Sequence, residues 1–156
     1  MIAAVIIWLL QDMIQVLAMG FMLVPEFFLL VVVYEIVSGP LSSTRISRWI
    51  WFAFAGGVVW DLRWVGVPGM TALINVLAVV LVYRIWNRMP AGGRSAPLFA
   101  LLAGVTHFLS GILHYLAWAV PSQAALRLFM IQQLIAVPVL VMLSLIYAFR
   151  LRKNHA

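Results

Sequence analysis

The chain has 156 residues, of which 66% are hydrophobic and only 9% charged, and its mean hydropathy is +1.12. Water-soluble domains carry about 25% charge, so this composition excludes one and leaves an integral membrane protein with no room for a second domain. The net charge of +6 sits at the ends of apolar runs, where it reads as a topology signal and not as a nucleic-acid footprint.

Crossing a bilayer takes about 20 apolar residues. On that measure the chain divides into spans near residues 1–19, 22–38, 46–61, 69–87, 97–118 and 124–149, an all-α bundle of six transmembrane helices. Gly20 and Pro25 are the only breakers between the first two spans. One kinked helix is the rival reading there, but 38 residues exceed a single crossing. The first span carries no Lys or Arg ahead of it and runs longer than a signal h-region, so no cleaved signal peptide is expected. Cysteine is absent, which excludes disulfides and thiolate metal sites.

Basic residues set the expected orientation. Arg45, Arg48, Arg84, Arg88, Arg94, Arg150, Arg152 and Lys153 fall on one side of the six-span arrangement, and only Arg63 and Arg127 on the other. This bias predicts cytoplasmic N- and C-termini in a multi-pass membrane protein. Trp49, Trp51, Trp60, Trp64, Trp86 and Trp118 lie near span ends, as interfacial rings do. The largest loop, residues 87–96, has turn chemistry and no apolar period.

The densest stretch is residues 56–75, Gly-Gly-Val-Val-Trp-Asp-Leu-Arg-Trp-Val-Gly-Val-Pro-Gly-Met-Thr-Ala-Leu-Ile-Asn. Asp61 and Arg63 are expected to stop the third span, because charge is costly in hydrocarbon. Pro68 is expected to start the fourth. Asp61 can pair with Arg63 or Arg127, or cap the helix that starts near Pro68. Glycines 56, 57, 66 and 69 let backbones approach closely.

A glycine ahead of an Asp at a helix end (Gly57, Asp61), then Gly-x-x-Ala-Leu (Gly69, Ala72, Leu73), then Tyr83 resembles the rod shape-determining protein MreD family. Pro25, Tyr34 and Gly39 fit the same pattern upstream, while Arg63 and Trp64 stand where the family usually has aliphatic residues. The resemblance implies a non-enzymatic scaffold of the bacterial cell-elongation complex, with a fold similar to the substrate-capture (S-component) subunits of transporters. It also implies docking to an MreC-like single-pass protein, and association with RodA, its penicillin-binding transpeptidase and MreB. Gly57, Asp61, Gly69, Ala72 and Leu73 would form the partner and packing motif. The basic segments would attract anionic lipid. The alternative is a vitamin-binding S-component of an energy-coupling-factor transporter.

The remaining polar residues form a second set. Gln11, Asp12 and Gln15 share one side of span one, and His107, Ser110, Gly111 and His114 share a stripe on span five. Asp12 and His107 lie at similar depth, about 16 Å and 15 Å into their spans. With Asn75, Gln132 and Gln133 they are expected to turn inward as a hydrogen-bonded interior that fixes helix register, or as a solute or metal site. The candidate interior cluster is therefore Asp12, Gln15, Asn75, His107 and Gln132. Glu26 is expected near the outer surface, and Glu35 beside Arg45 or Arg48. Ser110-Gly111 with His114 has the residue types of an intramembrane serine protease, but Phe108 stands where that motif needs glycine, and both side chains share one helix. No nucleophile, base and oxyanion set is evident, and the sequence points to no cofactor and no resident metal.

Overall fold

The computed structural model describes residues 1–18, 23–39, 42–65, 68–118 and 122–155, and they are all helical or connecting, without a strand. Six α-helices follow one another: α1 (Ile2–Leu17), α2 (Phe27–Ser38), α3 (Ser43–Trp60), α4 (Met70–Arg88), α5 (Ala96–Trp118) and α6 (Gln123–His155). A π-helical turn, Asp61–Val65, extends α3, and a 3-10 turn, Ala91–Gly93, precedes α5. Three stretches are long and apolar enough to cross a membrane: Met70–Arg88, Ala96–Leu116 and Gln123–Lys153. The helices cover the expected stretches, but α1 and α2 have only 16 and 12 residues.

The short α2 is the centre of the molecule. It touches all five other helices, and Leu30, Val32, Val33 and Ile36 have no exposed surface. Its sequence, Phe-Phe-Leu-Leu-Val-Val-Val-Tyr, is apolar on every side, the pattern of a helix enclosed by others. Twelve residues reach only about 18 Å, which suffices because its neighbours cover its ends. Below it, Trp86, Phe99 and Tyr147 form an aromatic layer, with Tyr147 ring centroids 6.0 Å from Trp86 and 5.0 Å from Phe99. Trp49 and Trp86 therefore belong to the core and not to an interfacial girdle; they are 4% and 1% exposed. The depth of these positions follows from α2 being surrounded, which no local pattern encodes.

The tightest pairing is α3 against α4. Gly57 makes it possible: a Cβ there would lie 2.4 Å from the Ala72 Cα and 2.6 Å from its nitrogen. Asp61 then turns the chain. Its carboxylate is fully buried and accepts the backbone N–H groups of Gly69 (2.9 Å), Thr71 (3.0 Å) and Ala72 (3.4 Å). These are free donors of a helix start, and an anion there is favoured by the helix dipole.

Three expectations change here. The backbone does not stop at Asp61 but stays wound through the π-helical turn. Pro68 lies before the helix, whose N-cap is Gly69. Gly69 has nothing within 4 Å of where a Cβ would be; its role is a positive φ of 102°, the left-handed conformation that favours glycine.

Ser42 caps α3 through the Arg45 N–H. Arg45 binds the Glu35 carboxylate at 3.3 Å and the Glu35 carbonyl, tying α3 to the end of α2. Between the two expected partners of Glu35, the structure selects Arg45. On the last helix, Pro138 sits inside α6, where it removes a hydrogen bond and favours a bend.

Candidate functional site

Residues 23–26 are irregular, yet Val24 and Pro25 are buried inside the bundle. Buried backbone polar groups need partners, and the glutamines supply them. Gln15 Oε1 accepts the Val24 N–H at 3.1 Å, Gln11 Oε1 accepts the Phe28 N–H at 2.8 Å, and Gln132 Nε2 donates to the Val24 carbonyl at 3.1 Å. Gln15 and Gln132 therefore hold the inward-dipping start of α2 and do not share a cluster with Asp12.

That dip carries Glu26 into the interior and not to the outer surface where it was expected. Its Oε2 accepts the Ser110 hydroxyl at 2.6 Å, and its Oε1 lies 2.6 Å from His114 Nδ1. On the far side of the imidazole, Nε2 is 3.2 Å from the Thr71 hydroxyl. A carboxylate, an imidazole and a hydroxyl thus stand in line across α2, α5 and α4. The i, i+4 spacing of Ser110 and His114 was the visible signal; the missing half was an acid after a proline.

The line has the group types of a hydrolytic triad without its surroundings. Ser110 bonds the carboxylate directly, with its hydroxyl 3.5 Å from His114 Nδ1. The backbone donors around Thr71, which would serve a developing oxyanion, already serve the Asp61 carboxylate.

Asp12 and His107 are buried but do not meet. Asp12 Oδ1 accepts the Trp64 indole N–H at 2.8 Å and pairs with Arg63 Nε at 3.0 Å. Arg63 and Trp64 thus engage the acid of α1. Arg63 is 52% exposed at its side chain, against 9% for Asp12, so Asp12 lies beside the π-helical turn and not in mid-bundle. His107 Nδ1 instead lies 3.1 Å from Gln133 Oε1, and His107 Nε2 has no partner among the described residues. The expected meeting of Asp12 and His107 does not occur, because Asp12 turns to the π-helical turn and His107 to Gln133 on α6.

A cavity of about 560 Å3 opens between these groups, at the end of the bundle away from the arginine-rich segments. Trp8, Trp60 and Trp64 wall one side; Trp8 donates its indole N–H to the Gly56 carbonyl at 3.3 Å. Tyr115 and Phe129 wall the other. Asn75, 4% exposed, lines the cavity and has no hydrogen-bond partner among the described residues. Of the motif residues, Gly57, Asp61 and Ala72 meet at the α3–α4 joint, Gly69 shapes the turn, and Leu73 points outward with 54% exposure. Among the described residues no group of three or more His, Cys, Asp or Glu could hold a metal ion.

Among the described residues, the fold and site define an all-helical bundle with three membrane-length apolar helices and an aromatic-walled cavity at one end. No family model, curated protein or solved structure matches the chain.

Proposed function

We propose that this chain is a membrane-embedded, non-enzymatic scaffold of the MreD type, residing in the bacterial cytoplasmic membrane with both termini inside. The observation that carries this reading is the α3–α4 joint. The residues of the resemblance make one rigid helix pair, through Gly57 on Ala72 and Asp61 on the start of α4. Rigid pairs give partner helices a fixed face. On the outside of α4, Leu73, Leu77, Leu81 and Ile85 are exposed at four-residue spacing, a surface suited to an MreC-like single-pass helix. The Arg and Lys side chains at the opposite end suit anionic headgroups or an acidic cytoplasmic partner.

The test is affinity capture of the tagged chain from native membranes, followed by mass spectrometry of the bound proteins. An MreC-like single-pass protein, with RodA and its transpeptidase, is the expected catch. Recovery of the chain with none of these removes the reading.

The cavity favours a second reading, a solute-capturing subunit of a vitamin transporter. Its volume lies in the range of small-molecule sites, roughly 300–1,000 Å3. Under this reading the same capture experiment returns an energy-coupling membrane subunit and its ATPases.

A further inference from the structure

We propose that the end cavity is a binding site for a small, flat organic cation: a positively charged nitrogen heterocycle held between the two aromatic walls. The inference deepens the solute-capture reading and rests on it; the scaffold reading neither requires it nor opposes it.

Three independent features converge on this chemistry. The first is shape and wall composition. Trp8, Trp60 and Trp64, which pack on one another, and Tyr115 and Phe129, which form a second pair, all line the cavity of about 560 Å3. The indole N–H groups of Trp8 and Trp64 are held by the Gly56 carbonyl and the Asp12 carboxylate, so the rings are oriented before a ligand arrives. Ring faces prefer cations and stacked planes.

The second is charge. Among the described residues lining the cavity there is no Lys or Arg, and Glu26 is the single carboxylate. Its titratable neighbours are His114, which lines the cavity beside it, and His107 on the same face of α5. Asp61 lies just behind Thr71, with backbone N–H groups as its partners. A wall with a carboxylate and neither Lys nor Arg opposes anions and favours a cation.

The third is an unmet hydrogen-bonding group. Asn75 is more than nine-tenths buried, lines the cavity and bonds no described residue. Its amide is open to the cavity, and a heterocycle edge with adjacent donor and acceptor atoms would satisfy both of its ends. In the proposed pose the ring lies between the walls, its charge approaches Glu26, and its polar edge meets Asn75.

The test is calorimetric titration of the purified chain in lipid nanodiscs with three probes. Thiamine represents flat heterocyclic cations, riboflavin an uncharged flat heterocycle, and nicotinate an anion. Saturable one-to-one binding of thiamine with none of nicotinate is expected. Glu26→Gln should keep the Ser110 contact yet weaken thiamine on the order of tenfold or more, as loss of a close charge partner does. Asn75→Ala should weaken it as well and serves as the second variant if Glu26→Gln does not fold. Binding unchanged in both folded variants overturns the site. Riboflavin binding without thiamine binding overturns the cation class and leaves solute capture standing. Absence of saturable binding by all three overturns both.

Discussion

The α3–α4 joint makes a sharp prediction at Gly57. A Cβ added there would meet backbone atoms, Ala72 Cα at 2.4 Å, Ala72 N at 2.6 Å and the Thr71 carbonyl carbon at 2.9 Å. Backbone cannot rotate away as a side chain can, so the helices must part by about 1 Å to restore ordinary contact. Overpacking of this kind costs about 1–3 kcal/mol. Parting the helices also stretches the Asp61 bonds to Thr71 and Ala72, now 3.0 Å and 3.4 Å. Gly57→Ala should therefore destabilise the bundle by about 2–3 kcal/mol, at the upper end of that range. The assay is reversible unfolding in mixed micelles with rising SDS, followed by helicity. Asp61→Asn by itself should be milder, about 1 kcal/mol, because the amide oxygen still accepts a cap bond. The double variant should cost less than the sum, since the first change already weakens what the second removes. A Gly57→Ala change below about 0.5 kcal/mol, or strict additivity with Asp61→Asn, would refute the joint.

Gly69→Ala should cost about 1 kcal/mol through its left-handed φ and not through a clash; Gly69→Asn should be better tolerated than Gly69→Val, and equal losses in the same unfolding assay would contradict this. Arg63→Ala should change stability by less than about 1 kcal/mol because the guanidinium is half exposed, whereas Asp12→Leu, which strands the Trp64 indole N–H, should do more harm than Asp12→Asn. Gln11→Leu leaves the buried Phe28 N–H unpaired and should cost about 1–3 kcal/mol, while Gln133→Leu, whose partner is His107, should leave amide exchange at Phe28 unaltered. Reporter fusions after Lys153 and at Ser122 should report inside and outside respectively, and the opposite pattern would reverse the proposed topology.

Much of the architecture was legible because hydropathy is a local property. Apolar runs of membrane length mark α4, α5 and α6 directly, and an acid followed by glycines announces a capped turn between α3 and α4. Composition by itself also predicted that the polar residues of α1, α5 and α6 would turn inward, since apolar surroundings penalise exposed amides and imidazoles. Which of them meet was decided only by the tertiary fold. Asp12 found Arg63 and Trp64 because its face of α1 turns to the π-helical turn. His107 found Gln133 on its neighbouring helix, and the glutamines found the backbone of residues 23–26. Glu26 became the centre of the site because α2 is short and starts deep, carrying the acid between α4 and α5. Sequence spacing fixes which side chains share a helix face. The depth at which a helix begins, and the neighbour each face meets, depend on packing six helices around α2, and those distances exist only once the chain has folded.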